Sequence, residues 1–297
     1  MLLIPIKKWV SSAKMGKYAS DTFYRMKKFG LIGHPIEHSL SPALFKAGYA
    51  GRYPYELIET PDFEEAYQRF LDGYDGINVT APFKELAFSK ADIISEECSL
   101  IGATNLLIKT PDGIKAHNSD FLGVRLWMSE LSAHMSEEPS VLVVGLGGAG
   151  KAVAAAAWSN GFKMTLINRD IAKAQDMSAR LGGISRGNEI RIRPLSDFPD
   201  AFLEADIIIY NLPVSIPEIE CLCRMKDEDI RDRSSKHILE ANYKNPSFNK
   251  AILDKLQQNG LNVEYHAGHT WLLLQAVTGY ELFTGEKPDL SKMTEQI

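Results

Sequence analysis

The segment VLVVGLGGAGKAV, residues 141–153, constrains this chain more than any other. A short continuous apolar run, Val141 to Val144, reads as a strand buried on both faces. It runs into Gly145, Gly147 and Gly150 in G-x-G-x-x-G spacing, then into an alanine-rich helix and a further strand, KMTLIN. That order separates a dinucleotide-binding fingerprint from an ordinary glycine turn. The first glycine allows the tight turn, the second lets backbone approach a pyrophosphate, and the third allows close helix packing. The helix N-terminus offers unpaired N–H groups to the anion. A structural turn is the competing reading of the glycines taken alone.

Around this loop the chain divides into two halves. From Phe29 to about Asp120, apolar runs and amphipathic stretches alternate, which predicts a mostly parallel α/β layer. KFGLIG, YELIET and GINVT read as strands. SPALFKAGYAG predicts a helix with Ser41 as N-cap and Pro42 at the first helical position. PDFEEAYQRFLD and KELAFSKADIISEEC read as further helices, and NLLIKTPDGIKAHN as a hairpin turning on PDG. After the helix FLGVRLWMSELSAHM and the break EEPS, strands recur at VLVVG, KMTLIN, ADIIIY and HILEAN. The final helix, WLLLQAVTGYELFTGEKP, has no strand after it and is suited to crossing back onto the first half. The expected fold is α/β with two domains: a substrate-binding domain of residues 26–120 plus 268–297, and a Rossmann dinucleotide-binding domain of residues 121–267. Residues 1–25 read as an N-terminal extension, since MKKFGLIG at Met26 is a natural start just before the first strand.

Several function classes fall away. The net charge of −5 comes without a basic block, so nucleic acid is not an expected partner. No apolar run reaches the length of a membrane span. The three cysteines, Cys98, Cys221 and Cys223, offer no disulfide framework, which fits a reducing, cytoplasmic setting. The seven histidines and three cysteines show no metal-ligand spacing, so no metal is expected.

A nicotinamide enzyme acting on a ketone needs a group to protonate the forming alkoxide. Without zinc or a Tyr-x-x-x-Lys pattern, Lys84 in GINVTAPFKE and Asp120 in HNSDFLG remain as candidates. Each has a plainer reading. A lysine after a strand is ordinarily solvated, and Asp120 stands where it would cap a helix. Ser39 and Ser41 in HSLSP also fit helix capping, His34 and His38 fit loop positions, and Gln275 fits a half-exposed helix face. At the end of the second strand of the glycine-loop half, Asp170 lies about 20 residues past Gly150, where an acid accepts from the ribose hydroxyls of NAD. Its neighbours Arg169 and Lys173 suit a 2′-phosphate instead.

The order of these residues resembles the shikimate dehydrogenase family. The resemblance rests on GLIGHPIEHSLSP, GINVTAPFKE, IGATNLL, HNSDFLG, VVGLGGAGKA, NRD, ANYKNP and GHTWLLLQAVTGYELFTG, which span nearly the whole chain from Met26. It implies NADP-dependent reduction of 3-dehydroshikimate to shikimate, in a cytoplasmic monomer or homodimer whose partner is a small-molecule substrate. Lys84 and Asp120 would form the catalytic pair between the domains. Ser39, Ser41 and Tyr243 would receive the substrate carboxylate, with Thr80, Asn105 and Gln275 on its remaining polar edge. Gly145, Gly147, Gly148, Ala149, Gly150, Asn168, Arg169, Asp170, Lys173 and Gly268 would hold the cofactor.

The chain departs from the family pattern at several places. Asp170 replaces a threonine, placing negative charge where a 2′-phosphate would sit, so NAD is admitted as the alternative cofactor. YNLPVSI replaces NATPxGM, changing Tyr210, Leu212, Ser215 and Ile216 beside the nicotinamide position. Glu240 stands for an aspartate, Pro246 falls one residue late, and Ser119 replaces a threonine. A NAD-dependent quinate/shikimate dehydrogenase is therefore the near alternative. A non-catalytic cofactor or metabolite sensor is the alternative of another class.

Overall fold

The computed structural model describes residues 26–135, 137–182, 189–225 and 235–297. The extension expected over residues 1–25 lies outside the described residues.

The first half opens with β1 (Phe29–Gly33), buried along its length, then α1 (Ser41–Gly48), β2 (Tyr55–Glu59), α2 (Phe63–Gly73) and β3 (Gly76–Val79). Asp62 starts α2 by accepting the Glu64 and Glu65 N–H groups, and acidic residues fill its first turn. Next come α3 (Lys84–Ser89), β4 (Ile93–Ile94), α4 (Glu96–Ile101), the hairpin β5 (Leu106–Thr110) and β6 (Gly113–His117), and α5 (Ser119–Ser132). The strands form one sheet in the order β2-β1-β3-β5-β6-β4. Strands β2, β1 and β3 are parallel, whereas β5 runs antiparallel to β3 and to β6.

The second half contains β7 (Ser140–Val144), α6 (Gly148–Ser159), β8 (Lys163–Ile167), α7 (Ile171–Gly182), β9 (Ile190–Arg193), α8 (Phe198–Glu204) and β10 (Ile207–Tyr210). It continues through α9 (Pro217–Arg224), β11 (Lys236–Glu240), α10 (Lys250–Gln258) and β12 (Val263–Ala267). All six strands are parallel, in the order β12-β11-β10-β7-β8-β9. This is the doubly wound order, and the chain reverses direction between β7 and β10, which opens a crevice beyond their carboxyl ends. The long helix α11 (Gly268–Thr284) and the short α12 (Leu290–Thr294) close the chain.

Helix α11 returns to the first half. Its Ala276, Tyr280 and Phe283 pack with Phe29, Leu44, Phe45 and Leu106 in one buried cluster. Its Trp271 and Leu274 join a second cluster with Phe121 and Val124 of α5 and the alanines of α6. Helix α11 therefore packs on the first sheet and on α5 and α6, joining the two halves beside the crevice.

Two local readings change, and two strands were not anticipated. KELAFSKADIISEEC is not one helix: Ile93 and Ile94 pair in parallel with Lys115 and Ala116 of β6. Two adjacent β-branched residues and an unpaired strand edge make that exchange favourable despite the helical period. Ser41 does not cap α1. Leu40 occupies the N-cap and Ser41 the first helical position, and the serine hydroxyl accepts from Ser39 Oγ at 3.1 Å instead. The strands β9 and β12, unassigned from the sequence, do alternate apolar and polar residues as IRIR and VEYHA, but each run is only four or five residues long and gives a weak signal.

Candidate active site

The crevice holds a cavity of about 370 Å³ whose lining includes Lys84, Asp120, Ser39, Ser41, Thr80, Asn105, Tyr243 and Gln275. The structure thus gathers every residue expected to carry chemistry or touch substrate. His38, Asn78, Trp271 and Tyr280 line it as well.

Lys84 is the first residue of α3, just beyond β3, and its Nζ lies 2.6 Å from Asp120 Oδ2. Both side chains are largely shielded, so the pair interacts through less water than a surface ion pair does. Asp120 is held from several directions. Asn118 is the N-cap of α5 and accepts the Phe121 N–H, so Asp120 is relieved of capping and its carboxylate turns to Lys84. The Ser119 N–H donates to Asn105 Oδ1 at 2.7 Å, and Trp271 Nε1 donates to the Asp120 carbonyl at 3.0 Å. Glu97 accepts from the Asn118 N–H at 3.3 Å.

Asn105 is buried between the sheets. Its amide nitrogen donates to Ser119 Oγ at 3.1 Å, and Ser119 Oγ in turn donates to Gln275 Oε1 at 3.2 Å. The mild threonine-to-serine departure at Ser119 thus keeps the hydroxyl that links these two lining residues. On the opposite wall, the Tyr280 hydroxyl donates to the Ser41 carbonyl at 3.1 Å and the Tyr55 hydroxyl to Asn78 Oδ1 at 2.8 Å. Burial pushes both phenols well above their ordinary range, which keeps them neutral donors. Asn78 had one sequence signal: it is the lone polar residue inside the buried run GINV.

Tyr243 reaches the cavity on a turn organised by two other residues. Glu240, fully buried, accepts from the Ser247 and Phe248 N–H groups and from the Tyr265 hydroxyl. Asn242 accepts from the Lys244 and Asn245 N–H groups and donates to the Pro213 carbonyl. The glutamate and the late proline are thus parts of one rebuilt turn. The ring of Tyr243 leans on His269, centroids 4.4 Å apart.

The glycine loop leaves the end of β7. Gly145 has φ +86°, and a Cβ on Gly150 would sit 1.8 Å from the Gly145 carbonyl oxygen, so loop and α6 meet without room for a side chain. Beyond Gly147 itself and its chain neighbours, nothing lies within 4 Å of where a Gly147 Cβ would stand, and Gly147 caps α6 without a side-chain acceptor. Open space before free helix N–H groups suits a pyrophosphate, so the residues present fit a dinucleotide. Ala149 and Gly268 line the cavity itself, and the Lys84 stem passes 3.6 Å from where a Gly148 Cβ would be. Asn168 Oδ1 accepts the Leu146 N–H at 3.0 Å and so braces the loop. Arg169, Asp170 and Lys173 are exposed at the start of α7, and Asp170 Oδ1 accepts the Ala172 N–H. In the altered YNLPVSI loop, Tyr210 is core and its hydroxyl donates to the Val214 carbonyl at 2.7 Å, while Leu212 packs over Gly145.

Two family profiles cover these halves: the shikimate dehydrogenase substrate binding domain matches residues 31–107, and shikimate / quinate 5-dehydrogenase matches residues 129–222. The shikimate dehydrogenase (NADP(+)) of Rubrobacter xylanophilus is 32% identical over 280 residues, covering 89% of this chain and 93% of that protein. The chain belongs to the shikimate dehydrogenase family. Among solved structures, the Thermus thermophilus shikimate 5-dehydrogenase in complex with NADP(H) and shikimate superposes with TM-score 0.71 at 26% identity, covering 91% of this chain and 98% of that one. The quinate dehydrogenase of Corynebacterium glutamicum in complex with NAD gives TM-score 0.75 at 25% identity, with the same coverages. Both family variants therefore share this shikimate dehydrogenase fold. No helix among the described residues is long and apolar enough to cross a membrane.

Proposed function

We propose that this shikimate dehydrogenase family member catalyses the reversible, NADP-dependent reduction of 3-dehydroshikimate to shikimate, a step toward aromatic amino acids. The observation that carries the reading is the Lys84–Asp120 pair at 2.6 Å inside a cavity that also presents Ser39, Ser41 and Tyr243. When bound, the nicotinamide cofactor supplies hydride in one direction and accepts it in the other. The Lys84 ammonium gives its proton to the C3 oxygen as the carbonyl is reduced and retrieves it in reverse. Asp120 fixes the Lys84 rotamer and accepts from a substrate hydroxyl. The hydroxyls of Ser39, Ser41 and Tyr243 donate to the substrate carboxylate, while Thr80, Asn105 and Gln275 contact the ring hydroxyls. Gly145, Gly147, Gly148, Ala149 and Gly150 receive the pyrophosphate, Asn168, Arg169, Asp170 and Lys173 the adenosine end, and Gly268 the nicotinamide side.

In this reading residues 26–120 plus 268–297 act as the substrate domain and residues 121–267 as the cofactor domain. The enzyme works in the cytoplasm on a small-molecule substrate, as a monomer or homodimer, without nucleic acid.

One observation favours a second reading. Asp170 stands exposed at the ribose end, and the quinate dehydrogenase likeness is as complete as the shikimate one. Quinate/shikimate oxidation with NAD is therefore the alternative. Steady-state assays with shikimate and quinate, each against NADP and NAD, decide between them. Turnover confined to shikimate and NADP is expected. Efficient use of NAD or quinate selects the alternative, and folded protein silent in all four assays overturns both.

A further inference from the structure

On the glycine-loop half, β11 and the edge strand β12 pair in parallel with His237 opposite Glu264 and Leu239 opposite His266. Residues two apart on a strand share a face, so His237, Glu264 and His266 project from the same side of a two-strand ladder. One ligand atom from each lies within 4.8 Å of the other two. His237 Nδ1 is 3.5 Å from Glu264 Oε2, and His266 Nε2 is 3.6 Å from Glu264 Oε1. Both of these imidazole nitrogens are buried and lack a hydrogen-bond partner. His237 is itself only 9% exposed, so its unpaired nitrogen carries a desolvation cost that a ligand would offset.

The geometry points to a divalent transition-metal site formed by His237, Glu264 and His266, separate from the reaction cavity. Two imidazoles and a carboxylate are a donor set suited to zinc-class cations rather than calcium or magnesium. Ligand distances of about 2.0–2.2 Å require the three donors to draw closer than they now stand. The exposed Glu264 side chain can turn a single oxygen toward both rings, and the imidazoles close the remaining distance between them. His266 packs edge-on against Trp127 of α5 at 5.1 Å between centroids, and the two imidazoles stack at 5.9 Å. The outward side of Glu264 faces solvent, leaving the fourth position to water. The ion would tie the edge strand β12 to β11, two residues ahead of Gly268. Linear spacing hides the site because strand register, not sequence distance, brings His237 to the other two.

The test uses full-length, tag-free protein treated with chelator and dialysed. Zinc titrated calorimetrically should bind with one-to-one stoichiometry, and cobalt should give the visible bands of a nitrogen/oxygen-liganded site. Glu264→Gln, at an exposed position, should weaken zinc at least tenfold with an unchanged circular dichroism spectrum, and His237→Gln should do the same. At zinc about 100 times its Kd, the folded-to-unfolded ratio of wild type should rise roughly 100-fold, and this gain should vanish in Glu264→Gln. The proposal is overturned if wild type does not bind zinc, if both variants bind as wild type does, or if cobalt shows a thiolate charge-transfer band pointing to Cys221 and Cys223.

Discussion

Lys84 Nζ and Asp120 Oδ2 meet at 2.6 Å across 36 residues of chain, one at the start of α3 and the other in the first turn of α5. Neither helix alone specifies the contact. It exists because β3 delivers Lys84 to the crevice, while Asn118, Asn105, Glu97 and Trp271 together fix where α5 begins. The pair is thus a product of buried hydrogen bonds around it, and the predictions below separate the chemistry from that scaffold.

Under the proposed mechanism Lys84→Ala removes the proton donor and leaves the carboxylate-binding hydroxyls in place. Its kcat should fall about 100- to 10,000-fold, while the shikimate Kd, read by quenching of tryptophan fluorescence, changes little. Wild-type turnover in this variant would refute the catalytic assignment.

Asn105→Ala strips the acceptor from the Ser119 N–H and the donor from its hydroxyl, both in a buried setting. Loss of about 1–3 kcal/mol of stability is expected, seen as a lower urea midpoint, together with a raised KM for shikimate. An unchanged midpoint would mean that the network relaxes or that water replaces it.

Asp170→Thr keeps a side-chain acceptor for the start of α7 but deletes the negative charge. The specificity-constant ratio of NADP over NAD should rise about tenfold, equivalent to ~1.4 kcal/mol. If the ratio stays constant, the Asp170 carboxylate serves only the helix.

Glu97 anchors the segment leading into α5. Burial pushes its carboxyl up, but the His117 ring at 3.1 Å and backbone N–H donors outweigh that and hold it below the ordinary glutamate value. Its folded pKa is therefore depressed. The unfolded chain binds the proton more readily, so the stabilisation is present above the unfolded value of about 4.3 and is lost as pH falls below it. Glu97→Gln should be less stable than wild type at pH 7, with the gap closing as the pH falls through that window. Parallel urea midpoints from pH 7 to pH 3 would contradict the assignment.

Sequence by itself determined the alternation of apolar runs, the glycine loop with its flanking strand and helix, and the PDG hairpin. These are local or periodic properties, since backbone sterics and hydrophobic period act over a few residues and leave a linear record. The three-dimensional packing decided the rest. It turned the apolar helix at the chain's end back to pack on the first sheet, and broke the helical stretch around Ile93 because β6 offered an edge. It drew Ser41 away from capping, gave Asp170 a helix to cap, and spent the Asn105 amide on Ser119. It also set the register that brings His237 beside Glu264 and His266. For Ser41, Asp170, Asn105 and the Ile93–Ile94 pair, a polar group or a β-branched pair had more than one local partner or conformation open to it. The choice depended on which partner the rest of the chain brought within hydrogen-bonding distance.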